Sequence, residues 1–211
     1  MAKKIGVLCI VLGFLCLLAA VGLIGYNRWE EQQAALAATA MLANVQEQIA
    51  APPSEEPAPP EPLVPVEEEP EPIETVPEEM PITQVNGYDC IGVLSIPVLE
   101  LELPVLTDWS YEKLKVAPCL YYGTYYRPDF VIAAHNYQSH FARLSELQAG
   151  DLILFTDVEN TARYYEVVLL ETLPANATEA MVTSGFDLSL YTCTPGGSNR
   201  VTVRCSALRN G

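Results

Sequence analysis

Three residues in the second half of the sequence have side chains that could together carry out acyl transfer. Cys193 follows the run SLYT (189–192), His135 follows the apolar run VIAA (131–134), and Arg200 comes seven residues after the cysteine. A thiolate can attack a carbonyl carbon, an imidazole can transfer protons, and a guanidinium can hold the oxyanion that forms. The sequence therefore predicts a cysteine nucleophile, a histidine acid–base and an oxyanion-stabilising arginine, if the fold brings them together.

Each of these residues lies at the end of a predicted strand. Residues 130–134 form an apolar run that ends at the histidine. Residues 188–192 and 200–205 are also strand-like, and Pro-Gly-Gly at 195–197 predicts a turn between them. Further short elements are predicted as strands at 91–96, 99–103, 152–156 and 163–170, and as helices at 109–116 and 141–147. Many short strands at close spacing favour a β-barrel or a sandwich.

The sequence also offers alternatives to these assignments. Cys193 could be a buried core thiol, as most strand cysteines are, but it opens a glycine-rich turn in which side chains are exposed. Cys205, in contrast, alternates in phase with two valines of its strand and is predicted to lie in the core. His140 is a competing base, and Arg204 is a competing arginine unless it is simply solvated.

An uncharged apolar segment at residues 5–26 is long enough to cross a bilayer as a helix. Residues 1–4 contain two lysines, so the positive-inside rule places them in the cytoplasm and everything after the segment outside the cell. Residues 27–50 are rich in Ala, Gln and Leu and predict a membrane-proximal helix. The alternative is a signal peptide that is cleaved late, near Ala38 or Ala40.

Most of the net charge of −16 comes from a segment that is not predicted to fold. Residues 51–81 contain eleven Pro, ten Glu and no basic residue. Such a segment buries too little apolar surface to fold, so residues 51–87 are predicted to be a disordered spacer, with a Pro-rich ligand for a partner domain as the alternative. Residues 88–211 have the composition of one folded domain. No basic face is evident, which argues against nucleic acid as a partner.

The remaining cysteines and the acidic residues do not predict a metal site. Two His and the lack of a Cys-x-x-Cys pair argue against zinc. The acidic residues show no spacing typical of calcium ligands, so calcium dependence stays open. A disulfide among Cys90, Cys119 and Cys205 also stays open, because pairing cannot be deduced from sequence.

Taken in order along the chain, these motifs resemble those of the sortases, the cysteine transpeptidases of Gram-positive cell surfaces. SLYTC (189–193) is similar to the family's Thr-Leu-x-Thr-Cys motif, with Ser in place of the first Thr. VIAAHN (131–136) is similar to the family's His-Asn after an apolar strand, and NRVTV (199–203) to the Arg that opens its last strand. GVLSIP (92–97), followed by LPV (103–105), is similar to the first two strands, so the resemblance covers roughly residues 88–208.

The resemblance implies a mainly β fold, a closed eight-stranded barrel with short helices. It also implies that Cys193 attacks the backbone carbonyl of an LPxTG-like sorting signal on a surface protein or pilin. The thioacyl enzyme would then pass the acyl group to an amine of a lipid II-like cell-wall precursor or of a pilin lysine. No cofactor is implied.

The resemblance further assigns roles to single residues. His135 would act as general acid and base, and Arg200 would stabilise the substrate and the oxyanion. The substrate-binding residues would be the neighbours of the catalytic residues in the motifs, namely Asn136, Thr192 and Ser189.

Some features of the sequence bear on the class of sortase. Residues 171–187 leave little room for the inserted helix of class B enzymes. A second membrane span and a lid before the first strand, which many class C enzymes have, are not evident either. These features favour a class D-like or housekeeping-like enzyme. The seven-residue spacing from Cys193 to Arg200 is shorter than in many members and bears on substrate preference.

Two other functions stay open at this point. One is a cysteine peptidase that acts by hydrolysis, against which stands the order of the residues, because papain-like wall hydrolases usually place Cys before His. The other is a non-catalytic surface binding module on a sortase-like barrel.

Overall fold

The computed structural model describes residues 2–50 and 79–208, with side chains from residue 10 onward. Most of the predicted spacer, residues 51–78, lies outside the described residues. Its predicted end at residue 87 differs from the structure, because Thr83–Val85 form a strand that pairs with the next strand of the barrel. The hairpin turn at Asn86 and Gly87 has positive φ angles of 52° and 82°, which Asn and Gly tolerate well.

The described chain forms nine strands. In chain order they are β1 Thr83–Val85, β2 Tyr88–Ile96, β3 Leu101–Leu106, β4 Cys119–Tyr122, β5 Phe130–Ala133, β6 Leu152–Asp157, β7 Ala162–Pro174, β8 Leu188–Cys193 and β9 Asn199–Ala207. Their order in the sheet is β1-β2-β3-β4-β5-β8-β9-β7-β6, and β6 also pairs with β2. This pairing closes a barrel of eight strands, with β1 attached to β2 outside the ring. The predicted closed eight-stranded barrel is therefore confirmed.

The barrel interior holds one face of each strand, as the two-residue period of a strand requires. On β8, Leu188 and Leu190 lie in the core, and on β9 Val203 and Cys205 do. The prediction that Cys205 is a core residue is confirmed. Cys193, at the end of β8, is out of phase with Leu188 and Leu190, so it lies on the outer face of the strand, where it is half-buried.

The helices between the strands are short. α2 spans Tyr111–Leu114 within the predicted 109–116, and the hydroxyl of Ser110 caps it by accepting the Lys113 N–H at 3.1 Å. The helix predicted at 141–147 is a single 3₁₀ turn at Leu144–Glu146. α3, at Thr178–Val182, was not predicted.

One predicted strand begins later than expected. The alternating leucines predicted a strand at 99–103, but Pro97–Leu99 form a 3₁₀ turn and β3 starts at Leu101. Glu100 ends that turn with a left-handed φ of 52°, which interrupts the extended backbone.

The N-terminal quarter of the chain is one helix, α1, at Ala2–Ala50. The predicted apolar segment 5–26 and the predicted membrane-proximal helix 27–50 are thus continuous. Among the described residues, α1 is the one helix long and apolar enough to cross a membrane. Its second half presents a buried stripe at helical spacing to β1, β2 and β3, formed by Ala34, Ala38, Met41 and Val45.

Candidate active site

The pairing of β5 with β8 brings His135 and Cys193 to one end of the barrel. The two strands are parallel, so their carboxyl ends lie side by side, with Ala133 opposite Tyr191. Beyond the last pair, the Ala134 N–H donates to the Tyr191 carbonyl at 3.2 Å, and the Thr192 hydroxyl donates to the Ala134 carbonyl at 2.9 Å. His135 and Cys193 follow directly after the residues that make these bonds.

The β8–β9 hairpin brings Arg200 to the same place. Cys193 lies directly opposite Arg200 in the antiparallel ladder. The five-residue connection closes with the Thr194 N–H donating to the Asn199 carbonyl at 3.0 Å. Gly196 and Gly197 have φ angles of 83° and 73°, a conformation that strongly favours glycine. The glycine-rich turn therefore places Cys193 opposite Arg200.

The imidazole of His135 is half-buried and contacts two neighbours. Its Nδ1 lies 3.1 Å from Asn136 Oδ1. Because an amide oxygen only accepts, Nδ1 carries the proton in the neutral ring and Nε2 is free to accept one. The Tyr137 ring stacks on the imidazole, with centroids 4.0 Å apart and planes 13° apart. Burial lowers the pKa of His135, opposed by Asn136 and by the carboxylate of Glu30.

The guanidinium of Arg200 is held by the turn beside the cysteine. Its Nη1 donates to the carbonyls of Gly197 at 2.9 Å and Asn199 at 3.0 Å. Its other N–H groups make no hydrogen bond with the part of the chain that the structure describes. Because guanidinium has five donors, these groups can bind a substrate carbonyl or an oxyanion next to the half-buried Cys193.

A row of aromatic rings runs along the outer face of the barrel from the cysteine. Tyr191 shares this face with Cys193, two residues away. Tyr121 packs edge-on against Tyr191 at 5.2 Å, and Trp109 lies 5.6 Å from Tyr121. Tyr111, 77% exposed, extends the row from Trp109. These rings offer an apolar surface with polar edges beside the nucleophile.

Helix α1 also reaches the site, which the sequence did not predict. Asn27, Glu30 and Glu31 line a cavity of about 340 Å³ together with residues 135–138. The Gln138 N–H donates to Glu31 Oε1 at 2.6 Å, across 107 positions in the sequence. No local pattern signals a contact of this kind, because neither residue belongs to a recognisable motif.

The structure corrects one assignment of a substrate-binding residue and gives different roles to two others. Ser189 is fully buried and its hydroxyl accepts a hydrogen bond from Arg204 at 2.8 Å, so it is not placed to contact a substrate. Thr192 is 2% exposed and bonded to the Ala134 carbonyl, which makes it a link between strands. Asn136 contacts the imidazole of His135.

The two competing residues have structural environments that set them apart from the site. His140 is fully buried, and neither ring nitrogen has a partner among the described residues. Burial lowers its pKa to about 4, so it is neutral and inaccessible. Arg204 was expected to be solvated if not functional, but it is 1% exposed. It binds Glu171 and the α3 carbonyls of Ala180 and Met181.

A model of the Sortase domain family matches residues 94–208, which is more than half of the chain. The chain belongs to the sortase family. The match includes all three residues of the candidate site in their expected order. A search of curated proteins finds no match to this sequence.

Solved sortases share the fold of this one. Sortase A from Corynebacterium diphtheriae superposes with a TM-score of 0.53 at 21% identity, covering 59% of this chain and 63% of that chain. Sortase C from Streptococcus pneumoniae gives a TM-score of 0.52 at 26% identity, covering 57% and 67%. Sortase C from Clostridium perfringens, solved with a C-terminal cell wall sorting motif, gives 0.51 at 21%, covering 58% and 72%. The class of this sortase stays a prediction, since sortases of two classes match similarly well.

Proposed function

We propose that this protein is a membrane-anchored cysteine transpeptidase. It cleaves a peptide bond within a sorting signal and transfers the acyl part to an amine. The observation that carries the proposal is the strand pairing, which sets His135, Cys193 and Arg200 at one end of a sortase barrel. The proposal needs no cofactor, because the three side chains supply nucleophile, proton carrier and oxyanion donor.

The first half of the reaction is acylation. The neutral imidazole of His135 accepts the thiol proton as Cys193 Sγ bonds to the scissile carbonyl carbon. The oxyanion that forms accepts hydrogen bonds from the unoccupied donors of Arg200. The C–N bond then breaks, His135 gives its proton to the leaving amine, and a thioester remains on the cysteine.

The second half is transfer to an amine. The acceptor's amino nitrogen attacks the thioester carbonyl, and its proton passes to His135 as the new amide bond forms. The C–S bond breaks, and the proton returns to the sulfur, so the enzyme is restored. We propose an amine of a cell-wall precursor or a pilin lysine as the acceptor.

The donor is proposed to be an LPxTG-like sorting signal of a surface protein or pilin. The structure of the C. perfringens sortase C with a C-terminal cell wall sorting motif supports this class of substrate by analogy of fold alone. The row of rings from Tyr191 to Trp109, which starts two residues from Cys193, supports the proposal by supplying an apolar surface for such a peptide.

The proposed location is the outer face of the cell membrane. α1 has the length and apolar composition of a membrane span, and the lysines before its apolar segment favour a cytoplasmic N-terminus. The catalytic domain would then lie outside the cell, where surface proteins and wall precursors are found.

The test uses the full chain in detergent, a panel of sorting-signal peptides and a small amine. Mass spectrometry is expected to show an acyl adduct on Cys193 and amine-ligated peptide, both lost in Cys193→Ala. Free acid without ligated peptide would indicate a peptidase instead. No adduct with any peptide, although Cys193 can be alkylated in the folded protein, would favour a binding module.

A further inference from the structure

We infer that helix α1 is part of the catalytic site, with Glu31 and Glu30 acting as positioning residues for the loop that carries His135. The inference rests on the proposed function for its effect on rate, but the contact itself can be tested without activity. It assigns a catalytic purpose to a helix that would otherwise serve only as an anchor.

The loop that carries His135 lies between β5 and the 3₁₀ turn at Leu144–Glu146. Within the loop, the His140 N–H donates to the Tyr137 carbonyl at 2.9 Å, and the Phe141 N–H donates to the His135 carbonyl at 3.2 Å. The Gln138 N–H instead points at α1, where Glu31 accepts it at 2.6 Å. A carboxylate acceptor makes this bond stronger than an ordinary amide one.

A second contact holds α1 beside the same loop. Glu30 Oε1 lies 3.4 Å from Lys115 Nζ, just after α2. The groups around His135 are therefore Glu30 and Glu31 of α1, Lys115, the adjoining Asn136 and Tyr137, and the buried His140 behind the Tyr137 ring. Glu30 raises the pKa of His135 and Lys115 lowers it, so the ion pair balances the local charge.

The rest of α1 packs against the barrel, and this packing holds the two contacts in place. Met41 and Val45 pack into an apolar cluster with Val85, Cys90 and Leu106. The four buried residues of the stripe lie on the barrel side of the helix, three to fourteen positions beyond Glu31. Glu31 is thus held by the following turns of its own helix, about four in number.

The position of Glu31 also ties the catalytic histidine to the membrane surface. The apolar segment ends at residue 26, five positions before Glu31, which is about 8 Å along a helix. His135 is consequently held close to the level at which α1 would leave a bilayer. A donor and an acceptor that are themselves tethered to the membrane would meet the site at this level.

Four variants of the full chain in detergent test the inference. Glu31→Ala removes the acceptor of the Gln138 N–H, whereas Glu31→Gln keeps a neutral acceptor of the same shape. Glu30→Gln removes the ion pair with Lys115. The matched control is Glu47→Gln, an exposed glutamate on the same helix with no ion pair among the described residues.

Peptide ligation is expected to lose about tenfold in kcat in Glu31→Ala with little change in KM, because positioning is lost but the substrate surface is intact. In Glu31→Gln, kcat should stay close to that of the unmodified chain. In Glu30→Gln, the acid limb of the pH profile should move to lower pH, because a group that raises the pKa of His135 is gone. Glu47→Gln should match the unmodified chain in kcat, in KM and in the position of the acid limb.

Histidine NMR gives a readout that does not depend on ligation, since the chain has two His. The His135 signal, assigned with His135→Ala, should shift in Glu31→Ala while the His140 signal stays. If Glu31→Ala matches Glu47→Gln in both kcat and the His135 signal, the inference is wrong. If the unmodified chain ligates nothing, the proposed function fails, and the NMR comparison alone decides whether α1 positions the loop.

Discussion

At the scale of single residues, the protonation state of His135 follows from its contacts. The Asn136 oxygen fixes the proton on Nδ1, and the stacked Tyr137 ring shields one face of the imidazole from water. Shielding favours the uncharged ring, and so the pKa lies below its ordinary value. A neutral imidazole with a free Nε2 is the form that can accept the thiol proton of Cys193.

This state predicts the pH dependence of the reaction. Because the active form of His135 is neutral and its pKa is lowered, kcat/KM should begin to fall only below about pH 6.5, the ordinary histidine value. Tyr137→Ala exposes the imidazole to water and should therefore move the acid limb to higher pH. The measurement is a kcat/KM profile for peptide ligation from pH 4.5 to 8.

The matched control for the pH profile is His140→Phe. The His140 ring is fully buried without a partner, and its pKa of about 4 keeps it neutral across the range. The limb should therefore stay in place in this variant. A limb that disappears with His140→Phe, or that does not move with Tyr137→Ala, would contradict the assignment of the acid limb to His135.

At the scale of secondary structure, the site depends on a pair of parallel strands. β5 and β8 are far apart in sequence, and their carboxyl ends are fastened together by the Thr192 hydroxyl on the Ala134 carbonyl. Both residues are buried, so no water can replace this bond without entering the barrel. Thr192 therefore helps to fix the distance between His135 and Cys193.

Thr192→Val should accordingly reduce both stability and rate. Losing one buried hydrogen bond costs about 1–2 kcal/mol of unfolding free energy. We expect kcat to fall while KM for the peptide stays nearly constant, because Thr192 does not face the substrate side. Urea unfolding and ligation kinetics would check this, with Thr192→Ser as a control that keeps the hydroxyl. A raised KM with unchanged kcat would instead restore Thr192 as a substrate-binding residue.

Among the elements of secondary structure, some could be predicted from the sequence and others could not. Strand β5 is a continuous apolar run, and β8 and β9 alternate, so the positions of these strands and the residues at their ends were predictable. Ser189 was not predictable. Its place on the outer face follows from alternation, but its burial comes from Arg204 and α3, and residues 171–187 carry no periodic pattern that predicts how they pack.

The contact between α1 and the site was unpredictable for a related reason. The composition of residues 27–50 predicts a helix, but it does not reveal which face of the helix packs or what that face packs against. Glu31 and Gln138 meet only because the helix docks on β1, β2 and β3 in one register. Contacts of this kind depend on the whole arrangement of the molecule.

At the scale of the whole molecule, the barrel and α1 share a sulfur-containing interface. Cys90 Sγ lies 3.9 Å from Met41 Sδ, and the thiol is fully buried under the helix. Cys90, Cys119 and Cys205 are free thiols. Cys90 and Cys119 lie on β2 and β4, on either side of Leu106 in β3, which is too far apart for a disulfide without strand movement.

The arrangement predicts which cysteine of the barrel reacts with a thiol reagent. Burial raises the pKa of Cys90 to about 11 and the pKa values of Cys119 and Cys205 to about 12, so these thiols are protonated as well as covered. In the folded full chain, iodoacetamide should therefore modify Cys193 well before the other three, as measured by peptide mass spectrometry.

Undocking the helix should change this pattern at Cys90. Met41→Asp places a charge in the apolar contact and should free α1 from the barrel, after which Cys90 becomes reactive while Cys205, inside the barrel, stays protected. Leu36→Asp is the matched control, because Leu36 is 65% exposed on the same helix. Since Glu31 leaves the loop of His135 when α1 undocks, Met41→Asp should also lower kcat, whereas Leu36→Asp should not. Cys90 that stays protected in Met41→Asp would show that the barrel, and not α1, covers it.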